Sequence, residues 1–206
     1  MTDLLLATDN PGKLAELRAL LPPDVDVRSL SELQLSAPEE TGGTIAENSA
    51  IKAVEAARAG GVLTLADDSG LEVDALDGRP GVHSKRFASD CGDDRANIEL
   101  LLRELDPVPL SERTASFVCV LTLAGPEGVL ASATGRLFGR IGNECRGENG
   151  FGYDPIFYIE DGRTIAELGP AEKNAISHRG RALREILPAL LIAIGAYRFS
   201  SHGAGQ

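Results

Sequence analysis

The chain has 206 residues, enough for one or two domains with a buried core. Its 31 acidic residues against 20 Lys and Arg give a net charge of -11 with the 3 His neutral. Such a surface disfavours non-specific binding to nucleic acid or to an anionic membrane, so an anionic ligand needs a local cationic pocket. With 43% hydrophobic, 25% charged and only 4% aromatic residues, the chain is neither disordered nor fibrous, and aliphatic packing must fill its core.

In chain order, Leu4–Ala7 is a short apolar strand, Asp9-Asn10-Pro11-Gly12 a turn, and Leu14, Leu17, Leu20 and Leu21 the apolar stripe of a helix that Pro22-Pro23 stops. Val25 and Val27 alternate with charge as in a second strand. Residues 36–43 read as loop. Thr44 and Glu47 then make the capping box of a helix whose small apolar face is Ala46, Ala50, Ala53, Val54 and Ala57. Val62–Ala66 reads as a strand buried on both faces that delivers Asp67 and Asp68 at its end, and Ile98, Leu101, Leu102 and Leu105 mark a further helix. Ala115–Ala124 and Val129–Phe138 flank Gly125–Gly128 as a long hairpin. A last helix starts near Ser177 and is bent or reset at Pro188, with a frayed tail expected over Ser200–Gln206. The pattern predicts one α/β unit, with two lobes around a cleft.

Cys91, Cys119 and Cys145 form an odd set without CxxC spacing, which argues against a disulfide framework or zinc ribbon and fits a reducing cytoplasm. No signal-peptide pattern opens the sequence, and the apolar run over Ile186–Ala196 falls short of the ~20 residues a membrane span needs.

The common nucleotide fingerprints fail. Ala7 stands where a P-loop needs its first glycine, Leu14 where it needs Ser or Thr, and Pro155 where GxGxxG needs its third glycine. Polar clusters remain where elements end. Thr8-Asp9-Asn10-Pro11-Gly12-Lys13 offers backbone N–H groups and an ammonium to phosphate oxygens, or is simply a capped turn with a solvated lysine. Glu39-Glu40 and Asp67-Asp68 are carboxylates of the kind that Mg²⁺ shares with water and phosphate, or else solvated charge and a capping pair. Lys173, His178 and Arg179 gather donors at the start of the last helix, where cations oppose the helix dipole, and so suggest an anionic or carbonyl-bearing ligand.

Together with Glu47–Ala53, Pro80-Gly81-Val82, Gly150–Phe157 and Ser177–Gly180, these clusters resemble, in this order, the inosine triphosphatase family of noncanonical purine nucleoside triphosphate pyrophosphatases. The resemblance implies a two-lobed mixed α/β fold around a long curved mixed sheet with a central cleft, and a homodimer. It implies Mg²⁺-dependent hydrolysis of ITP, dITP and XTP to the monophosphate and pyrophosphate, with Asp68 as catalytic base and Glu39 and Asp68 on the metal. Thr8, Asp9, Asn10, Pro11, Gly12 and Lys13 would hold the triphosphate, while Ser69, Phe151, Gly152, Tyr153, Asp154, Lys173, His178 and Arg179 would bind the nucleotide, mainly its base. Asn149 departs from the pattern, which has glycine there, and its side chain is expected to narrow the loop. A Maf-like pyrophosphatase for pyrimidine or modified nucleotides, and a nucleotide sensor without turnover, are the competing functions.

Overall fold

The computed structural model describes the backbone of residues 4–203 and the side chains of residues 4–197. It is a mixed α/β fold whose six-stranded sheet has the order β2-β1-β3-β4-β5-β6. Strand β1 (Leu4–Ala7) lies between β2 (Val27–Ser29) and β3 (Thr64–Val73) and pairs with both in parallel; β6 (Phe157–Tyr158) closes the other edge antiparallel to β5. Long strands β4 (Thr114–Gly125) and β5 (Gly128–Ile141) are the expected hairpin. From Ala115 onward β4 is buried throughout, whereas much of β5 alternates between exposed and buried positions.

The helices are α1 (Pro11–Leu20), α2 (Ile45–Gly60), α3 (Asp94–Leu105), α4 (Pro170–Ile176) and α5 (His178–Gly203). The chain divides into two compact units. The first comprises Met1–Asp68, Val120–Gly135 and Arg179–Gln206; the second comprises Ser69–Cys119 and Arg136–His178. In the first, Leu5, Ala7, Leu30, Ala53, Ala56, Ala57, Ala66 and Ala124 form a core of mostly small side chains, which lets α2 approach the sheet closely. The second has a larger core, with Leu71, Ile98, Leu101, Phe117, Ile141 and Phe157 among its members.

Several expectations change in detail. The Asp9–Gly12 turn is partly helix: Asn10 is the N-cap of α1, its Oδ1 accepting from the amides of Gly12 (2.9 Å) and Lys13 (3.1 Å), with Pro11 in the first turn. Strand β2 begins at Val27 and leaves Val25 outside it. Strand β3 does not end at Ala66 but continues through Asp67 and Asp68 to Val73, so the carboxylates sit within a strand. The buried face of α2 is Ile45, Asn48, Ser49, Lys52, Ala53, Ala56 and Ala57, rotated from the all-apolar face expected. Its Thr44/Glu47 capping box is present.

Helix α5 runs through Pro188 without interruption and its backbone reaches Gly203; the end of the tail expected over residues 200–206 lies outside the described residues. No described helix is long and apolar enough to cross a membrane, and no disulfide joins the cysteines among the described residues.

Candidate active site

In the first unit, β3 presents two adjacent carboxylates, and successive residues of a strand point to opposite faces of the sheet. Each carboxylate therefore meets different helices. Asp67 receives Lys13 Nζ of α1 at 2.5 Å and Arg179 Nε of α5 at 2.7 Å, while Arg179 Nη1 pairs with Glu16 of α1. Asp68 receives Lys52 Nζ of α2 at 2.7 Å, and the same ammonium reaches Glu40 at 2.9 Å.

Burial and charge set the protonation of these groups. Burial pushes the Asp67 carboxyl up, but the Arg179 and Lys13 charges outweigh it and hold the group well below the usual carboxylate range. For Asp68 burial wins. Lys52 and Lys13 pull its pKa down and Glu40 adds to the rise, leaving it above the ordinary aspartate value. Lys52 is itself buried, which alone would lower its pKa, yet Asp68 and Glu40 carry it above the usual lysine value. A fixed spectator carboxylate and a more basic one thus stand side by side on one strand.

The Glu39-Glu40 loop is tethered to α2. Asn48 Oδ1 accepts from the Gly42 amide at 2.7 Å, and a Cβ on Gly42 would lie 2.8 Å from that oxygen, so only glycine fits. Of the two glutamates, Glu40 meets Lys52, and Glu39 is exposed. Thr8 Oγ1 accepts from the Asn10 amide at 3.2 Å, while Asp9 is exposed. The amides of Gly12 and Lys13, expected to face a phosphate, are turned to the Asn10 cap instead. Among the described residues no cluster of three or more His, Cys, Asp or Glu side chains forms a ready metal cage.

In the second unit the segment Gly150–Pro155 is organised around Asp154. Its Oδ2 accepts from the Phe151 amide at 2.9 Å and pairs with Lys173 Nζ of α4 at 2.6 Å; that ammonium lies 4.6 Å from the centre of the Phe151 ring. Gly150 has φ +80, and a Cβ there would collide with the Asp154 carboxylate. Tyr153 is buried and its hydroxyl donates to the Ser84 carbonyl at 2.9 Å; burial, then the Asp94 charge, raises its pKa. Asn149 does not narrow this loop. Its Nδ2 donates to the Leu168 carbonyl at 3.1 Å and its amide to the Ala166 carbonyl at 3.0 Å, which ties the side chain back.

Ser69 is half-buried on β3, and His178 is buried and stacked on Phe117, with ring centres 5.0 Å apart. The cations read together at the start of the last helix have separate seats: Lys173 in α4 beside Asp154, His178 against Phe117, and Arg179 with Asp67 and Glu16. Asp67, expected with Asp68 as a metal carboxylate or a capping residue, is instead the partner of Lys13 and Arg179, and the sequence assigned no role to Glu16 or Lys52. The available signal was a lysine at helical spacing from Ser49 and Ala56 on the inner face of α2, an unlikely place for a solvated charge.

The Ham1 family profile matches residues 4–189. A dITP/XTP pyrophosphatase of Exiguobacterium sibiricum is 50% identical over 196 residues, covering 93% of this chain and 98% of that one. The chain belongs to the Ham1 family. Among solved Ham1 structures, the Coxiella burnetii protein superposes with a TM-score of 0.83 at 44% identity, covering 93% of this chain and 99% of that one. The Staphylococcus aureus Ham1 protein gives 0.80 at 42%, covering 91% and 97%. The Ham1 fold and the mixed α/β architecture expected from the sequence therefore agree.

Proposed function

We propose that this chain is a nucleoside triphosphate pyrophosphatase that hydrolyses dITP, XTP and ITP to the monophosphate and pyrophosphate. The observation that carries the reading is the pair of buried carboxylates on β3, each with its own lysine, in a chain half identical to a named dITP/XTP pyrophosphatase. Attack on the α-phosphorus needs a base for water and cations for the departing pyrophosphate. Asp68, more basic than an ordinary aspartate yet ionised beside Lys52, is suited to take the water's proton. Lys13, fixed by Asp67, supplies positive charge to phosphate oxygens from the N-terminal turn of α1, with Thr8, Asp9, Asn10, Pro11 and Gly12 shaping the same turn.

The donors fit Mg²⁺, because all are carboxylate oxygens and too few to enclose the ion without water and phosphate. Asp68 would hold it with Glu39, the exposed glutamate of the loop, while Lys52 stays beside Asp68 and Glu40. When bound, the ion would neutralise phosphate charge and make water easier to deprotonate. In the second unit, Phe151, Gly152, Tyr153, Asp154, Lys173 and His178 would receive the base, along with Ser69. Arg179, whose guanidinium plane is set by Asp67 and Glu16 in the first unit, would donate to the nucleotide. Donors facing the six-position favour a keto group and reject the amino group of adenine. The reading extends to a cytoplasmic homodimer acting on free nucleotides, supported by the family resemblance and the acidic surface.

A nucleotide panel with separate detection of pyrophosphate and orthophosphate tests the reading. Monophosphate and pyrophosphate from XTP, dITP and ITP, abolished by chelator and restored by Mg²⁺, are expected. Orthophosphate as the first product, or equal use of ATP, would overturn it.

A further inference from the structure

We propose that Asp94 is a positioning residue for base selection, acting through the Phe151–Gly152 peptide; the inference rests on the base-reading role proposed for that segment. Gly152, with φ +62, donates its amide to Asp94 Oδ2 at 2.7 Å. The preceding amide, of Phe151, goes to Asp154 Oδ2, which also takes Lys173. Two successive amides are thus held by two carboxylates, one within the loop and one on α3. Rotation of the peptide between Phe151 and Gly152 would break the outer bond and re-aim the Phe151 carbonyl and the Gly152 amide, changing which backbone groups the segment presents.

Asp94 is well seated for such a task. Helix α3 is anchored by Asn97, whose Nδ2 donates to the Lys85 carbonyl at 3.0 Å and whose Oδ1 accepts from the Ala88 amide at 2.8 Å. Its N-cap is the preceding residue, Asp93, which accepts from the amides of Arg95 and Ala96. The Asp94 carboxylate is therefore not needed to start the helix.

Packing does not replace this bond. A cavity of about 570 Å³ lies against the same segment, lined by Asp94, Ile98, Leu102, Phe151, Gly152 and Pro155. Without the Asp94 bond, the loop has open space on that side into which to relax, so a charge-assisted hydrogen bond rather than packing holds the backbone there.

The test is steady-state kinetics with XTP and ATP on Asp94→Ala, Asp94→Asn and the control Asp93→Ala, each verified as folded by circular dichroism. Loss of one charge-assisted bond should raise KM for XTP about three- to tenfold and lower the XTP/ATP ratio of kcat/KM by a similar factor, with kcat within about twofold. Asp94→Asn, which keeps an acceptor oxygen, should recover most of the loss, and Asp93→Ala should leave both parameters near wild type. An unchanged KM and ratio in Asp94→Ala, a fall in kcat alone, or the same effect from Asp93→Ala would overturn the inference. If Asp94→Ala does not fold, Asp94→Ser carries the same test. Phe151→Ala and Lys173→Met run in parallel separate the two levels. If they too leave the ratio intact, the base-reading role fails; if they collapse it while Asp94→Ala does not, only the role of Asp94 fails.

Discussion

Asp67 and Asp68 share a strand and a chemistry but differ in basicity, because Asp67 is locked by two cations and Asp68 shares one lysine with Glu40. Asp68→Asn should retain the fold and lose kcat by at least ~10²–10⁴, the usual worth of an acid/base group, as single-turnover assays would show. Lys52→Met removes the charge that most opposes the rise of the Asp68 pKa. The acidic limb of kcat/KM, below which the base is protonated, should therefore move to higher pH, and an unmoved limb would separate that limb from Asp68. Arg179→Ala should lower kcat/KM for XTP by about one to two powers of ten while ATP loses little, as expected for one lost charge-assisted bond to the base. Equal slowing of both would place Arg179 on the phosphate side with Asp67.

At this scale the sequence showed the right residue types but not their partners. Asp67 read as a metal carboxylate or as half of a capping pair, because nothing in its neighbourhood announces that Lys13 and Arg179 will neutralise it. Lys52 read as one letter of a motif because the inner face of α2 was judged by apolar spacing alone. In the fold that face also carries Asn48, which holds the Gly42 amide, and Ser49, which donates to the Val120 carbonyl at 2.9 Å.

Among the elements, those with strong periodicity were legible: the α2 capping box, the α3 stripe and the β4–β5 hairpin. Those whose polar residues are paired at long range were not, and β3 is the clear case, since carboxylates in its middle look like a strand's end until their cations are known. The start of α1 was hidden by Asn-Pro-Gly, which signals a turn, although Asn10 and Pro11 suit a helix N-terminus equally well. Asn10→Ala should cost about 1 kcal/mol of stability by uncapping Gly12 and Lys13, measurable by urea denaturation, and should weaken triphosphate binding if Lys13 then wanders. In the second unit, Gly150→Ala combines a left-handed backbone with a collision against Asp154. It should blunt the preference for XTP while sparing the pyrophosphate product, which a two-substrate assay would register.

For the molecule as a whole, the buried ion pairs define how stability responds to pH. Asp67 is held well below the usual aspartate value of 3.8, so its contribution is complete above that value and is lost as pH falls toward its lower folded value. Lys52 is held above the usual 10.5, so its contribution is complete below that value and is lost as pH climbs through the raised one. Thermal denaturation across pH should show both losses, and replacing Arg179 by Met should remove much of the stabilising effect of Asp67 on the acid side. The Arg179–Asp67 bond also joins residues 112 apart. On a ribosome adding about 5–20 residues per second, Asp67 would emerge roughly 6–22 s before the arginine that neutralises it. Through that interval the nascent chain carries an aspartate that it cannot yet bury with both partners, so the ion-pair cluster around Asp67 is completed only as translation reaches α5.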